Sequence, residues 1–523
     1  MHLKNLLGTF VSNLLRRKNP DEFLEQSAAG GLKKTLNAFD LIILGISAII
    51  GAGIFVMIGS AVVGTPERVG AGPALVISIA LVAIACIFPA LCYAEFASMI
   101  PVSGSAYIYT FSTMGEFPAW MMGWVLMLEY AIGTIAVAAS WTGYLLKLLE
   151  GFSFIPEGLR NPPAWLINDY QSLMTAHPDA TVPHLLGIPI CVNLPAMFII
   201  LVIASVLFKG IQESANFAKI MVYVKVAIIL LFVLVGAFYI TPSNITSNFC
   251  PNGINGILMG AFAIFYAYIG FDAISTAAEE TKNPQKNLPI GLIGSLVICS
   301  VMYCLVTIVL TGMVPMDQID LKAPIAAAMN VIQQGWVARS STGIIAIGAL
   351  AGLTSVLLVL MFGTTRILYA MARDGFLPPV MKKVHPKFQT PWVITVLSTI
   401  LILIGTLFIN MQVAAELAIF GTFTSFVIVC AGILILRHTE PDRERPFKVP
   451  FCPWFPIIGI VFCSGLMFVA LKEVKTSAVL FPLWLVIGVV IYFLYGYQSN
   501  RKQVALKLQQ VEAEQPKEEK VEQ

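Results

Sequence analysis

Hydrophobic residues fill long, nearly uninterrupted runs along most of the chain, and short polar stretches separate these runs. A helix needs about 20 consecutive apolar residues to cross a bilayer. The length of the runs therefore predicts an all-α polytopic membrane protein with 12 transmembrane helices. These helices are predicted near residues 40–63, 73–97, 117–148, 190–208, 215–241, 256–280, 289–314, 342–372, 392–410, 412–436, 452–471 and 478–498.

The first of these runs is interrupted at its own centre. Leu41 to Val63 is long enough to cross a bilayer, but residues 49–54 read IIGAGI. Two glycines at this depth let the backbone leave helical geometry at little steric cost. Backbone N–H and C=O groups freed within lipid are tolerated where they line a protein cavity or bind something. The motif thus predicts either a site for a small polar solute or a close-packing surface between helices.

The sixth run has a second interruption. Residues 262–272 read FAIFYAYIGFD, which places Gly270 and then the carboxylate of Asp272 at mid-depth. Interrupted crossings numbered one and six imply two halves of five crossings each. This is the pattern of inverted repeats that bind a substrate at their interface. The pairing of the two interruptions favours a transporter over simple helix packing.

Composition excludes several other classes of protein. The 523 residues are 58% hydrophobic and 12% charged, with a mean hydropathy of +0.83, which fits no soluble class. A net charge of +3 is too small to indicate a nucleic-acid partner. The cysteines lie mostly within apolar runs without the spacing of a zinc site, and the histidines lie outside the runs. No metal site, phosphate-binding loop or catalytic cluster is predicted, so we expect no enzyme activity.

The positions of lysine and arginine predict the orientation. About 24 of these residues fall on the side of the two termini, about 7 fall on the other side, and Lys225 lies within a run. Positively charged connections favour the cytoplasm. We therefore expect a multi-pass protein of the cytoplasmic (inner) membrane with both termini in the cytoplasm.

Several motifs occur in an order that is typical of a known group of transporters. They are GISAIIGAGIF at 45–55, YAE at 93–95 followed by PVSGSAY at 101–107, and YIGFD at 268–272 followed by EETKNP at 279–284. The chain resembles the amino acid–polyamine–organocation (APC) superfamily over roughly residues 35 to 500. The segment 123–130 and the sixth run are most similar to bacterial members of its cationic amino acid transporter family.

The resemblance implies the fold of the sodium-coupled leucine transporters (the LeuT fold), with a 5+5 inverted repeat and two additional C-terminal helices. It divides the chain into five parts. These are a cytoplasmic N-terminal segment at 1–38, a first five-helix repeat at 39–241, an inverted second repeat at 254–437, helices 11 and 12 at 450–498, and a cytoplasmic tail at 499–523.

The resemblance also implies how the two interruptions would bind an amino acid. The N-terminal end of a half-helix directs N–H donors at a carboxylate, while unwound carbonyls accept hydrogen bonds from the ammonium. The residues assigned to the carboxylate are Gly51, Ala52 and Gly53, and those assigned to the ammonium are Ile49, Tyr266, Ala267 and Ile269. Ala52 stands where some relatives carry serine, so one hydroxyl contact would be missing. Tyr266 is similar in position to an aromatic residue that covers the substrate; the alternative is ordinary packing.

Lys225 is the most informative single residue. It lies about ten positions into the fifth run, roughly 15 Å from its end, where a buried ammonium is costly and suggests a function. By resemblance, its amine occupies the place of an ion in sodium-coupled relatives. Burial disfavours the charged form of an amine, so loss and gain of a proton would change its contacts with carbonyls at 45–48 and with the hydroxyl of Thr354 or Ser355. This predicts a proton-coupling role; the alternative is a structural pair with a carboxylate.

Two carboxylates within the runs remain. Glu129, well inside the third run, needs a cation, a donor or a proton. It could contact the substrate, neutralise Lys225 or titrate itself. For Asp272 we expect helix capping and hydrogen bonding at a gate, and for Thr354 and Ser355 a gating or structural role.

The function predicted from the sequence is secondary active import of L-amino acids, cationic and/or neutral, by proton symport and alternating access. An exchanger (antiporter) or a transporter-like amino acid sensor are the alternatives. The proton is the coupling ion and no cofactor is expected. The partners are the amino acid substrate, membrane lipid, and a small single-span accessory subunit or none; no nucleic acid is expected. The preferred amino acid and the oligomeric state are not predicted.

Overall fold

The computed structural model describes residues 14–23, 34, 36–66, 68–150, 155–176, 182–185, 188–189, 191–321, 323–329 and 335–501. The α-helices of this part of the chain are numbered in chain order. They are α1 (Ala38–Ile49), α2 (Ile58–Val63), α3 (Leu75–Met99), α4 (Ala106–Thr113), α5 (Glu116–Met127), α6 (Gly133–Glu150), α7 (Glu157–Arg160), α8 (Tyr170–Ala176), α9 (Leu194–Lys209), α10 (Ile211–Gly236), α11 (Pro242–Thr246), α12 (Gly253–Phe265), α13 (Pro284–Met313), α14 (Pro324–Ala328), α15 (Gly335–Arg373), α16 (Trp392–Phe408), α17 (Met411–Thr439), α18 (Trp454–Glu473) and α19 (Lys475–Ile491).

Shorter elements connect and extend these helices. Single turns of π-helix follow α1, α5 and α19, at Gly53–Met57, Leu128–Ile132 and Tyr492–Gly496. Turns of 3₁₀-helix lie at Gly72–Ala74, Ala164–Leu166, Ala237–Tyr239, Tyr266–Tyr268, Phe271–Glu280, Met316–Gln318 and Pro379–Lys382. Two antiparallel hairpins are formed by β1 (Gly64–Thr65) with β2 (Arg68–Val69), and by β3 (His184–Leu185) with β4 (Ile188–Pro189).

The helices agree closely with the apolar runs of the sequence. Within the described residues, nine helical segments are long and apolar enough to cross a membrane, or ten when the bent first pair is counted as one. Two further apolar helices, α9 and α16, are shorter, with 16 and 17 residues. Each predicted run coincides with one of these twelve segments. The prediction of a mostly helical, multi-pass membrane protein is therefore confirmed.

The first predicted interruption is a real break in the helix. An Asn37 capping box begins α1, because the Asn37 side chain and Asp40 each accept a hydrogen bond from the backbone N–H of the other residue. The helix ends at Ile49, and Ile50 is extended, with ψ of 101°. The chain resumes as π-helix at Gly53, and the two halves are bent by 42°.

The second predicted interruption also breaks the helix. After α12 and one turn of 3₁₀-helix, Ile269 is extended and Gly270 has a φ of +103°. This left-handed conformation is accessible to glycine without a Cβ clash. The chain then continues as 3₁₀-helix from Phe271. The backbone therefore leaves α-helical geometry at the position where the glycine pattern predicts it.

The two breaks are packed directly against each other. A Cβ added at Gly53 would lie 2.2 Å from the Cα of Ala267, and a Cβ added at Gly270 would lie 3.2 Å from the Cβ of Ala48. All four residues are buried. The two segments can approach this closely because a glycine, which has no Cβ, lies on one side of each contact. The main-chain atoms of both breaks are thus brought to one place in the protein interior.

The described N-terminal residues pack on one end of the helix bundle. This end, which carries residues 14–23, 282–286 and 440–447, is called the basic face below. There Arg443 pairs with Asp21 at 2.9 Å, and Lys18 pairs with Asp374 at 2.8 Å. Phe23 is buried against Phe111. Residues 14–23 therefore join α4, α15 and the segment after α17.

Candidate functional site

Lys225 reaches the first break from α10. Its ammonium, which is fully buried, donates hydrogen bonds to the carbonyl oxygens of Ser47 (3.0 Å) and Ile50 (2.8 Å) and to the hydroxyl oxygen of Ser355 (2.9 Å). The Ser355 hydroxyl in turn donates to the Gly352 carbonyl at 2.7 Å. A lysine ammonium has three N–H donors, so these three acceptors use all of them. One side chain therefore connects α10, the end of α1 and α15.

These contacts distinguish between the sequence-based alternatives for Lys225. Of the two predicted hydroxyl partners, Ser355 is the one in contact. Thr354 instead donates to the Leu350 carbonyl and accepts a hydrogen bond from Trp141. In the described part of the chain, the Lys225 ammonium forms no ion pair with a carboxylate. The hypothesis that Glu129 neutralises Lys225 thus receives no support from the geometry.

Tyr303 on α13 connects the two breaks to each other. Its hydroxyl lies 2.8 Å from the carbonyl oxygen of Ile49 and 2.8 Å from that of Ala267. Both carbonyls are among those predicted to hold a substrate ammonium. A hydroxyl has one proton, so it donates to one of these oxygens at a time. The pair of carbonyls therefore has more acceptor capacity than Tyr303 can satisfy.

The remaining predicted binding residues are buried at the two breaks. Gly51 packs on Val356, whose Cγ2 would lie 2.5 Å from a Cβ added there, and Ala52 is 2% exposed. Ala52 is the N-cap of the segment that begins at Gly53, and the first N–H groups of a helix have no partner within that helix. This end can donate hydrogen bonds to an anion.

Tyr266 lies beside the second break, directly before Ala267. It is 6% exposed, and its hydroxyl donates to the Gly133 carbonyl at 3.2 Å, so it joins the 3₁₀ turn at 266–268 to the start of α6. Ile269, the last residue assigned to the ammonium, is the extended residue of the break. The structure thus brings together the predicted residues at 49–53 and 266–269.

Glu129 and Asp272 belong to a separate buried polar cluster. The Glu129 carboxylate accepts a hydrogen bond from Ser425 on α17 at 3.1 Å, and Asp272 accepts one from the Tyr130 hydroxyl. Both carboxylates are fully buried, and one oxygen of each lacks a hydrogen-bond partner. Two carboxylates in one dry cluster repel each other when both are ionised. Each carboxylate therefore already has a partner from another helix, Ser425 for Glu129 and Tyr130 for Asp272.

A narrow cavity of about 80 Å³ leads from the end of the bundle near Asp40 to Ser47. Its walls are mostly apolar residues of α1, α15 and the segment at 273–277. At its mouth Lys219 on α10 pairs with Asp40 at 2.8 Å. Since Ser47 also provides a carbonyl to Lys225, the cavity ends next to the backbone that holds this lysine.

Sequence reasoning did not find Tyr303, Tyr130 or Arg437. Arg437 makes two hydrogen bonds to the buried Glu95, at 3.1 and 2.6 Å. Glu95 also accepts a hydrogen bond from the Val449 N–H at 2.6 Å. Glu95 is thus the centre of a buried network. The sequence signals for this pair were a carboxylate, Glu95, at the end of one apolar run and an arginine, Arg437, at the end of another.

Comparison with known proteins identifies the family. The family described as "Amino acid permease" matches residues 36–492, which include both breaks, Lys225 and Tyr303. The chain belongs to this amino acid permease family. The resemblance to the APC superfamily is therefore confirmed, and the permease is a multi-pass membrane protein of a family of transporters.

The permease is similar to several characterised proteins over most of its length. It is 41% identical over 491 residues to the methylthioribose transporter of Bacillus subtilis, covering 94% of this chain and 99% of that protein. It is also 41% identical over 492 residues, with the same coverage, to the branched-chain amino acid permease BcaP of Bacillus subtilis. A vacuolar cationic amino acid transporter of Arabidopsis thaliana is 33% identical over 439 residues, covering 83% of this chain and 68% of that protein.

Proposed function

We propose that this permease is a secondary active transporter that imports L-amino acids across the cytoplasmic membrane together with protons, by alternating access. The observation that carries this proposal is the meeting of two broken helices whose main-chain polar atoms lie side by side in the protein interior. The five-plus-five inverted repeat, followed by two helices, is the fold that we infer for the 12 crossings. The repeats would be residues 39–241 and 254–437. The bias of lysine and arginine supports cytoplasmic termini.

The breaks are suited to an amino acid because they present complementary groups a short distance apart. The N–H groups at Gly51, Ala52 and Gly53 would bind the carboxylate, as helix N-termini bind anions. The carbonyls at Ile49 and at 266–269 would bind the ammonium. Tyr303 would then release one or both carbonyls when the ammonium arrives, since an ammonium brings three donors where the hydroxyl has one.

Lys225 is the residue that we propose for proton coupling. In its ammonium form it satisfies the Ser47 and Ile50 carbonyls on either side of the end of α1. The neutral amine would have two donors and a lone pair, so one of the three contacts would be lost or reversed in direction, and those that remain would no longer be charge-assisted. Loss of the proton would therefore weaken the connection between α10 and the first break. This links the protonation of one side chain to the position of the half-helix α1.

For the substrate we favour neutral amino acids with apolar side chains. Glu129, the carboxylate that a cationic side chain would need, is bonded to Ser425 in the cluster with Asp272. The residues that meet the glycines of the first break, Val356 and Ala267, are apolar. The similarity to a branched-chain amino acid permease supports this choice. The equal similarity to a methylthioribose transporter favours one second candidate, a thioether sugar, which lacks both the carboxylate and the ammonium.

Purified permease in proteoliposomes tests these proposals. We expect saturable uptake of labelled leucine and its inhibition by valine and isoleucine but not by methylthioribose. One pH unit, acid outside, corresponds to about 1.4 kcal/mol and so to about tenfold accumulation for one proton per substrate. Uptake of methylthioribose but not leucine would refute the amino acid assignment. Uptake that occurs only when the liposomes already contain unlabelled substrate would indicate an exchanger. Substrate binding without any uptake would indicate a sensor.

The variant Lys225→Met tests whether proton coupling can be lost while transport of the amino acid is kept. We expect this variant to exchange internal for external leucine but to lose accumulation driven by the pH gradient. Lys219→Met is the matched control, because it removes a lysine from the same helix at the mouth of the cavity instead of at the break. Gradient-driven accumulation by Lys225→Met at the wild-type level would refute the coupling role and leave the transport proposal intact.

A further inference from the structure

A groove runs up the outer side of α13 at its N-terminal end. It has a volume of about 650 Å³, and its walls are formed by α13 from Gln285 to Gly294 and by Pro446 and Phe447 of the segment after α17. The second wall is anchored to α3, because the Phe447 N–H donates to the Ser98 hydroxyl at 3.3 Å. The groove opens at the basic face, where it adjoins a second depression of about 610 Å³ that Gln285 also lines.

The lower end of the groove is positively charged. Lys286 lines the groove itself, and Lys34 and Lys282 line the adjoining depression. The side chains of these three lysines are exposed. Within the described residues, none of them forms an ion pair. Their charges are therefore available to an anion at the mouth of the groove.

The upper part of the groove is apolar. Pro289, Ile290, Ile293 and Gly294 follow Lys286 along α13, and Phe447 faces them. From Lys286 to Gly294 the helix rises about 12 Å, of which the apolar part from Pro289 onward takes about 8 Å; this spans the headgroup region and the first part of the acyl chains. Ile290 is 42% exposed, so this wall is not covered by another element of the protein. A basic mouth beneath an apolar wall of this length has the charge and polarity of a phospholipid.

We propose that this groove binds an anionic phospholipid, with its phosphate at Lys282 and Lys286 and one acyl chain along Ile290 and Ile293. The same stretch of α13 also packs against α1, at Gly291 and at the groove residue Gly294. A Cβ added at Gly291 would lie 2.6 Å from Leu41, and one added at Gly294 would lie 3.2 Å from Ile42. A lipid bound in the groove therefore lies one helix away from the inner half of the first broken helix.

Native mass spectrometry of the purified full-length permease tests the site without any transport measurement, so its result is independent of the proposed function. We expect the protein to retain phosphatidylglycerol in preference to phosphatidylcholine. Each lysine near a membrane surface contributes about 1 kcal/mol to binding an anionic lipid, so Lys282→Gln with Lys286→Gln should weaken binding about 30-fold. The control Lys383→Gln with Lys387→Gln, which removes two other lysines, should bind as the wild type does.

A second pair of variants tests the apolar wall. Ile290→Trp should fill the groove and lower the retention of phosphatidylglycerol, whereas Ile298→Trp should not, because Ile298 is similarly exposed (40%) on the same helix but outside the groove. Wild-type retention of phosphatidylglycerol by the double lysine variant or by Ile290→Trp would overturn the proposal. Displacement of the lipid by an equal concentration of free glycerol phosphate would also overturn it, since the site would then recognise a soluble anion.

Discussion

Replacement of Gly53 by alanine should separate the two broken helices. The new Cβ would lie 2.2 Å from the Cα and 2.3 Å from the Cβ of Ala267, and 2.7 Å from its backbone nitrogen. Carbon atoms in contact are normally about 3.5–4.0 Å apart, so the breaks would have to move apart by roughly 1.3–1.8 Å. A backbone atom cannot rotate away as a flexible side chain can. The strain must therefore be relieved by movement of one of the two segments.

The expected loss of stability and of substrate affinity can be estimated from these distances. Inserting a methyl group into a well-packed core costs typically about 1–3 kcal/mol, and contact with backbone atoms places Gly53→Ala at the upper end of that range. If the substrate needs both breaks in contact, a loss of about 3 kcal/mol corresponds to an approximately 100-fold weaker Kd. The melting temperature of the empty permease should fall as well.

Isothermal titration of the purified variant with leucine measures the Kd, and a fluorescence melting curve measures stability. The matched control is Gly465→Ala, because a Cβ added at Gly465 in α18 meets no other atom within 4 Å. That control should bind leucine as the wild type does. A Gly53→Ala protein with unchanged affinity and melting temperature would show that the two breaks are not tightly apposed, and the proposed site would lose its basis.

Three further substitutions test separate parts of the structure. Tyr303→Phe removes the hydroxyl shared by two carbonyls at the breaks and should lower the free energy of unfolding by about 1–3 kcal/mol. Tyr268→Phe should have a smaller effect, because the Tyr268 hydroxyl lies 3.5 Å from the Ile79 carbonyl and does not connect the two breaks. Glu95→Gln removes the charge of a buried carboxylate whose partner Arg437 is 27% exposed, so it should cost about 1.5–3 kcal/mol, measured by unfolding in mixed micelles; a change below 1 kcal/mol would contradict the network. Lys219→Met breaks a partly exposed pair and should cost only about 0–1 kcal/mol in the same assay; a loss above about 2 kcal/mol would contradict the assignment of this pair to the surface.

The breaks were predictable because their signal is local. Glycines in the middle of an apolar run permit a backbone that other residues would resist, and both interruptions occur within a few residues of Gly51 and Gly270. The depth of Lys225 in its run was visible in the same way. Its contact with Ser355 was one of two hydroxyl partners that the sequence left open.

The contacts made by Tyr303 had no such signal. They join residues 254 and 36 positions apart, and a tyrosine in an apolar helix looks the same whether it packs or bridges two carbonyls. The role of Glu129 was also open, because its neighbours Ser425 and Asp272 come from other helices. Side-chain partners across helices depend on rotation and packing, which the periodicity of a single run does not specify.

The docking of residues 14–23 on the basic face has a consequence for the order in which the protein assembles. Lys18 precedes its partner Asp374 by 356 residues, and Arg16 precedes Asn500, whose amide oxygen it contacts, by 484. At a synthesis rate of about 5–20 residues per second, Lys18 leaves the ribosome roughly 20–70 s before Asp374 exists. Arg16 and Lys18 therefore cannot make these contacts until the chain around residues 374 and 500 has been synthesised, so the docking of residues 14–23 is a late step of assembly.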